Sequence, residues 1–253
     1  MTRPFPHSLT AAPPVQIGLV VLQSDETLEL DFRRLIPTGV ELFATRVPSG
    51  DEVTPETLAA MEAHLSGAAA LFPRAARFAA VGYGCTSGTA QIGAAEVARQ
   101  IRAGCRTRAV TEPVSALVAA CRALGVTRLA LLSPYVETVS RRLQQVLAAQ
   151  GIATPVFGSF EVAEEARVAR IDGASIMTAA ESLLRTEEVD ALFLSCTNLR
   201  TLDIIPALEA RLGLPVLSSN QVLAWHLMEI AAVAAPAPAP GQLFARSAAR
   251  REA

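Results

Sequence analysis

The sequence predicts an α/β fold of parallel strands covered by helices, and two observations carry that prediction. Apolar, β-branched runs of strand length recur before turns, and stretches with helical spacing separate them. A strand–helix–strand repeat sets successive strands side by side and parallel, because the helix returns the chain to the edge it left. Coiled coils, sandwiches and helical bundles do not fit that alternation.

Taken in order, QIGLVVL (16–22) and VELFATRV (40–47) read as the first two strands. TPETLAAMEAHLSGAAALF (54–72) has helical periodicity and opens with Thr54 and Pro55, a cap followed by a residue suited to the first helical position. FAAVGYG (78–84) is a third strand and RTRAV (106–110) a short fourth, followed by a helix over 113–125 closed by Gly125. TRLALLSP (127–134) is a strand with its helix at 136–151. A strand and loop at 153–160 and a helix at 171–189 follow, then a strand at 190–196, a helix at 202–213, a last strand at 214–219 and a last helix at 220–235. The tail, 236–253, begins as a Pro/Ala linker whose later Leu243 and Phe244 can dock on the body.

A chain of 253 residues, 51% hydrophobic, is long enough for one large or two small domains with a sizeable core. Its 22 Lys and Arg against 24 Asp and Glu leave no basic footprint, so nucleic acid is not an expected partner. The first fourteen residues, interrupted by prolines, do not read as a secretory signal. No apolar run reaches the roughly 20 residues that span a bilayer, so no membrane partner is expected and the expected location is cytoplasmic. Four cysteines define no disulfide framework, and neither CxxC pairs nor Cys/His clusters suggest a metal. Lysine is absent, which excludes Schiff-base chemistry on a lysine.

Two of the cysteines stand in matched settings, VGYGCTSG (81–88) and LFLSCTN (192–198). Each ends a predicted strand, at the edge where parallel sheets gather ligand-binding loops. The small polar residues after Cys85 and Cys196 can aim backbone N–H groups at an anion, and the same dipoles can lower a thiol pKa. A small buried core residue is the plainer account of any one cysteine, and it suffices for Cys105 and Cys121. The matched pair points to two half-sites whose thiols exchange a proton from opposite faces of one carbon.

GYGCTSG (82–88), LSPYVETV (132–139), LSCTNLRTLDIIP (194–206) and PVLSSN (215–220) together resemble the Asp/Glu racemase superfamily, in the branch of maleate isomerases, arylmalonate decarboxylases and related ectoine-utilisation proteins. The resemblance covers about residues 15–235. It implies two flavodoxin-like lobes with parallel sheets related by a pseudo-twofold, a site between them, and no cofactor. The first lobe is then 15–110, joined by the helix 220–235. The second is 111–219, with 1–14 and 236–253 as peripheral tails. By position, Cys85 matches the first-lobe nucleophile or base and Cys196 the second-lobe proton donor. Thr86, Ser87, Thr197 and Asn198 fall in the carboxylate-binding turns, and Tyr135 matches a substrate-bonding tyrosine. Decarboxylases of this branch keep only the second cysteine, so Cys85 favours an isomerase or racemase of a small carboxylic or amino acid. The alternatives are a decarboxylase of a malonate-type acid using Cys196 and a carboxylate-binding protein without turnover.

The chain departs from the maleate isomerases at Asp25, where they carry asparagine, and at 158–160, which lack their second substrate-binding asparagine. A carboxylate at 25 repels a substrate carboxylate unless it is protonated or turned away. Asp25 therefore reads either as a partner for a substrate ammonium or as a cap for the helix that follows. Gln23 reads as a ligand donor or as a satisfier of its own loop, and Tyr135 equally as a cover over a strand end. Asn220 reads as a helix cap and His226 as a packed or surface residue. Apolar helices leave a homo-oligomer open, since a core helix has the same pattern.

Overall fold

Two four-stranded sheets repeat one strand order. The structure, a computed structural model, describes residues 4–9, 13–185, 187–234 and 240–252. The first half runs β1 (Val15–Leu22), α1 (Leu28–Leu35), β2 (Val40–Val47), α2 (Pro55–Ala60), α3 (Glu62–Ala69), β3 (Phe78–Gly84), α4 (Thr86–Ile92), α5 (Ala94–Gly104) and β4 (Thr107–Thr111). The second runs α6 (Pro113–Leu124), β5 (Arg128–Ser133), α7 (Glu137–Ala149), β6 (Ala153–Ser159), α8 (Glu165–Val168), α9 (Gly173–Leu183), β7 (Ala191–Leu194), α10 (Ile205–Leu212), β8 (Val216–Ser218), α11 (Ser219–Ala231) and α12 (Gln242–Glu252). The orders are β2-β1-β3-β4 and β6-β5-β7-β8, with every pairing in the sheets parallel.

That order decides where ligands can sit. In each sheet the chain turns back between the first and third strands, and the loops leaving their carboxyl ends splay apart at such a switch point. In the first lobe these are the loop after β1, with Asp25, and the turn after β3, with Cys85. In the second they follow β5, with Tyr135, and β7, with Cys196. The strands leading there are sealed on both faces, as covered parallel strands are: Ile17, Leu19, Val20 and Val21 of β1 and all four residues of β7 are fully buried.

The helices start where side chains can satisfy free N–H groups. Glu112 accepts from Val114 N at 2.7 Å ahead of Pro113, and α6 stops at Gly125, φ +73°. Asp172 caps α9 through Ser175 N at 2.7 Å. Ser218 caps α11, which continues straight from β8 and lies across the first sheet; a Cβ on Gly82 of β3 would come within 2.9 Å of its Leu227.

Several elements differ from expectation. The helix expected over 54–72 is two, parted at Met61. Residues 86–104, for which the sequence pattern predicts no element, form α4 and α5, which meet at Gly93 with φ +97°. Their TSGTAQIGAA start is too small and polar to show a helical stripe. The tail forms α12, with Leu243 and Phe244 fully buried and Gln242 N donating to the Glu209 carboxylate at 3.0 and 3.1 Å. Most of the expected Pro/Ala linker, 235–239, lies outside the described residues. Among the described residues no helix is long and apolar enough to cross a membrane.

Candidate functional site

The first cysteine turn is a strand running into a helix. Cys85, extended at φ −152°, is the N-cap of α4, and its Sγ accepts the Gly88 N–H at 3.1 Å. The glycines around it sit where a side chain would displace its neighbours. A Cβ on Gly84 would stand 2.1 Å from Leu28 Cδ2, and one on Gly88 would stand 2.7 Å from Tyr83 Oη and 2.8 Å from Cys85 Sγ. Tyr83 donates to Met61 Sδ at 3.7 Å.

The second turn is tighter. Ser195 N continues the ladder to Leu132 O at 2.9 Å, and Cys196 then takes φ +111°, a conformation costing an L-residue about 1–3 kcal/mol. It is held there from three sides. Its N–H donates to Ser219 Oγ at 2.9 Å, its Sγ accepts the Asn198 N–H at 3.2 Å, and Tyr135 Oη lies 2.9 Å from the same sulfur.

The two turns are stitched together. Thr197 Oγ1 donates to Gly84 O at 3.2 Å, and the Ser219 hydroxyl that receives Cys196 N also bonds Thr86 Oγ1 at 2.8 Å. Asn220 Nδ2 donates both to Thr197 O and to Asp31 Oδ2, each at 2.8 Å. Cys85, Cys196, Tyr135, Thr86, Ser87, Thr197 and Asn198 are all buried where the two turns meet. The open surface grooves around Arg128 and Arg211, around Arg77 and Arg108, and around Arg33 include neither thiol.

Two buried carboxyl groups complete it. Asp25 Oδ1 accepts from Thr27 N and Leu28 N, both at 2.8 Å, and so closes the turn that leads into α1, whose N-cap is Thr27. Its Oδ2 is buried without a hydrogen-bond partner, because the nearby Thr197 hydroxyl turns to Gly84 O. Glu165, on the single turn α8, accepts from Tyr135 Oη and from Asn198 Nδ2, both at 2.8 Å. Its N–H anchors to Asp51 O across the cleft.

Burial sets the electrostatics. It pushes Cys85 up to about 12, with the Gly88 N–H opposing and the Glu165 and Asp25 charges adding. Cys196 is also raised well above its ordinary value by burial, with Glu165 again adding and Tyr135 and the Asn198 N–H opposing. Asp25 and Glu165 are themselves raised by burial, against the hydrogen bonds they receive. Four acidic groups buried this close together resist ionising together. At neutral pH both sulfurs rest as thiols, and chemistry through either needs a group to take the proton.

Of the residues singled out from the sequence, Gln23 stays outside: its side chain is exposed and its backbone bonds Val47 O. Asn198 is inside but spends its carboxamide within the protein, on Glu165, Glu26 N and Thr27. Asn220 is a bridge within α11, capped instead by Ser218, and His226 packs on Trp225 with Nδ1 2.8 Å from Thr111 Oγ1. Sequence reasoning missed Glu165 and Ser219. Glu165 sits in EVAEEARVAR, which reads as a solvated charged stretch; the serine pair in PVLSSN was the available signal for Ser219.

Comparison with known proteins finds relatives that share most of the chain and its fold. Residues 95–244 match the family described as arylmalonate decarboxylase. The maleate isomerase of Nocardia farcinica is 31% identical over 246 residues, covering 92% of this chain and 97% of that one. The arylmalonate decarboxylase of Bordetella bronchiseptica is 35% identical over 135 residues, 53% of this chain and 56% of that one. A cysteine-to-serine mutant of the Nocardia farcinica maleate cis–trans isomerase, solved with a covalently bound succinylcysteine intermediate, superposes with a TM-score of 0.78 at 29% identity over 91% of this chain and 98% of that one.

Proposed function

The chain belongs to the family of arylmalonate decarboxylases and maleate isomerases, and from that membership we propose that it is a cofactor-independent isomerase or racemase of a small carboxylic or amino acid, working through Cys85 and Cys196. The observation that carries the proposal is the stitching of the two thiol turns through Thr197, Gly84, Thr86 and Ser219. It ties together the two turns that carry sulfurs from different sheets.

In racemisation one thiolate removes the proton α to the carboxylate, leaving the electron pair on an enediolate, and the opposite thiol gives its own proton to the other face. In cis–trans isomerisation the Cys85 thiolate adds to the alkene, the new C–C single bond rotates, and expulsion of the thiolate restores the double bond. The covalent intermediate in the Nocardia relative supports that route as available to this cleft. The turns after Cys85 and Cys196 supply the donors that hold the carboxylate and the developing anion. Asp25 and Glu165 disfavour a second substrate carboxylate and suit a substrate carrying an ammonium group instead.

A decarboxylase is the second reading, favoured by the polar partners gathered on Cys196 and by the 35% identity to the Bordetella enzyme. There Cys196 alone protonates the carbanion left by CO2. NMR-detected Cα–H exchange in D2O over a panel of dicarboxylates, amino acids and N-acetylated acids separates the readings. Exchange or isomerisation lost in both Cys85→Ala and Cys196→Ala supports the two-thiol enzyme. CO2 release surviving Cys85→Ala supports the decarboxylase, and ligand binding without any turnover leaves a binding protein.

A further inference from the structure

The hydrogen bonds around Cys196 form a chain that ends inside the protein. Cys196 Sγ, Tyr135 Oη and Glu165 Oε1 stand in line at 2.9 and 2.8 Å, and the second Glu165 oxygen is held by Asn198 Nδ2 at 2.8 Å. Tyr135 has one hydroxyl proton for two acceptors. With Glu165 ionised it points to the carboxylate and Cys196 S–H donates to Oη; with Glu165 protonated the whole chain reverses. We propose that Glu165, acting through the Tyr135 hydroxyl, takes the proton from Cys196 and returns it.

This rests on Cys196 being a proton-transferring group. In the forward step the S–H bond breaks and its proton joins Oη as the Tyr135 proton passes to Oε1, leaving a thiolate and a neutral carboxylic acid. Once the thiolate has taken a substrate proton, the cleft holds Cys196 S–H and protonated Glu165. When the thiol instead gives its proton to a carbanion, the reverse relay reloads it: Oε1–H breaks, Oη passes its proton to sulfur, and Glu165 ends ionised. Burial keeps Tyr135 far from forming a phenolate, so the hydroxyl passes one proton while accepting another. The titratable groups facing Glu165 are Tyr135, Cys196, Cys85 and Asp25. The chain carries no lysine, and the histidine nearest in sequence to the turn, His226, is engaged by Thr111.

The test is the pH profile of Cys196 carbamidomethylation by iodoacetamide on the intact protein, read by peptide mass spectrometry from pH 5 to 10. In the native protein the rate rises as Glu165 ionises and levels into a shoulder, well before the alkaline limb of the free thiol. In Glu165→Gln and Tyr135→Phe the shoulder disappears, with the near-neutral rate lower by about tenfold or more, and Glu165→Asp restores it in part. Removal of a neighbouring charge alone would speed the reaction in Glu165→Gln, and a purely structural defect would shift all rates without changing the profile's shape. A native profile without a shoulder, or a shoulder that persists in both Gln and Phe variants, overturns the relay. The readout needs no substrate, so a silent substrate panel leaves it intact, and proton exchange without a shoulder leaves the two-thiol reading standing without the relay.

Discussion

The two cysteine turns look alike in sequence and are built differently. Cys85 sits unstrained at the start of α4, and a backbone N–H from that helix reaches its sulfur. Cys196 sits at φ +111°, followed by no helix, with its sulfur in contact with a tyrosine that leads to a buried glutamate. The first turn offers its thiol a fixed dipole; the second offers a path for a proton. A backbone N–H stabilises charge on a sulfur, whereas a hydroxyl–carboxylate chain gives the sulfur's proton somewhere to go and a source from which to return. The difference fits the roles that the family resemblance implies, Cys85 as nucleophile or base and Cys196 as proton donor, which the variants below test.

The largest effects come from removing either sulfur. On a substrate that is exchanged or isomerised, Cys85→Ala and Cys196→Ala each reduce the rate by about 10²–10⁴, the range of a lost acid or base. Cys85→Ala with near-native turnover and abolished turnover in Cys196→Ala would break the comparison in favour of the second turn acting alone. Steady-state rates with circular dichroism on both variants separate this from misfolding.

Next comes the support beneath the second turn. Asn220 ties Thr197 O to Asp31, whose carboxyl is buried and raised from 3.8 to about 6, chiefly by burial and against the Asn220 bond. A folded pKa above the unfolded one means that the stability it contributes is present below about pH 4 and lost as pH rises through about 6. At 1.36 kcal/mol per unit this comes to about 3 kcal/mol. Asp31→Asn keeps an acceptor for Asn220 without the titration. Relative to the native protein the variant gains about that much stability between pH 3.5 and 7, measured by urea unfolding at each pH. Equal pH slopes in the two proteins would place the titration elsewhere. The bonds that seat Cys85 come from backbone N–H and hydroxyl groups and carry no such pH term.

How much of this was legible in the sequence follows from where the determinants lie. The strands and the two thiol turns could be read because burial on both faces forces continuous apolar runs and the turns after them carry small polar residues. Tyr135 and Asn198 fell in motifs long enough to resemble a family. Glu165 could not be read, because its neighbours along the chain are Glu164 and Ala166 while its chemistry comes from Tyr135 and Asn198, 30 and 33 residues away. α4 and α5 were hidden by their small residues, and α12 by the prolines before it. Asp25 was read two ways from its position; one of its oxygens closes the turn ahead of α1 and the other is buried without a hydrogen-bond partner. The strain at Cys196 left no mark at all, since LSCTN is an ordinary string until its φ is known.

That strain gives the smallest and sharpest test of the comparison. Alanine and glycine at a cysteine position both remove the sulfur, so the difference between them isolates the backbone. At 196 the left-handed φ penalises any Cβ, and Cys196→Gly should be more stable than Cys196→Ala by about 1–3 kcal/mol. At 85 the extended conformation suits an L-residue, and glycine only adds freedom to the unfolded chain, so Cys85→Gly should be less stable than Cys85→Ala by about 0.5–1 kcal/mol. Four urea unfolding curves measure both differences. Opposite signs establish that the second turn holds its thiol at a cost the first does not carry. Equal signs would mean that Ser219 and Asn198 hold the turn without strain, and the two sites would then differ only in the groups around them.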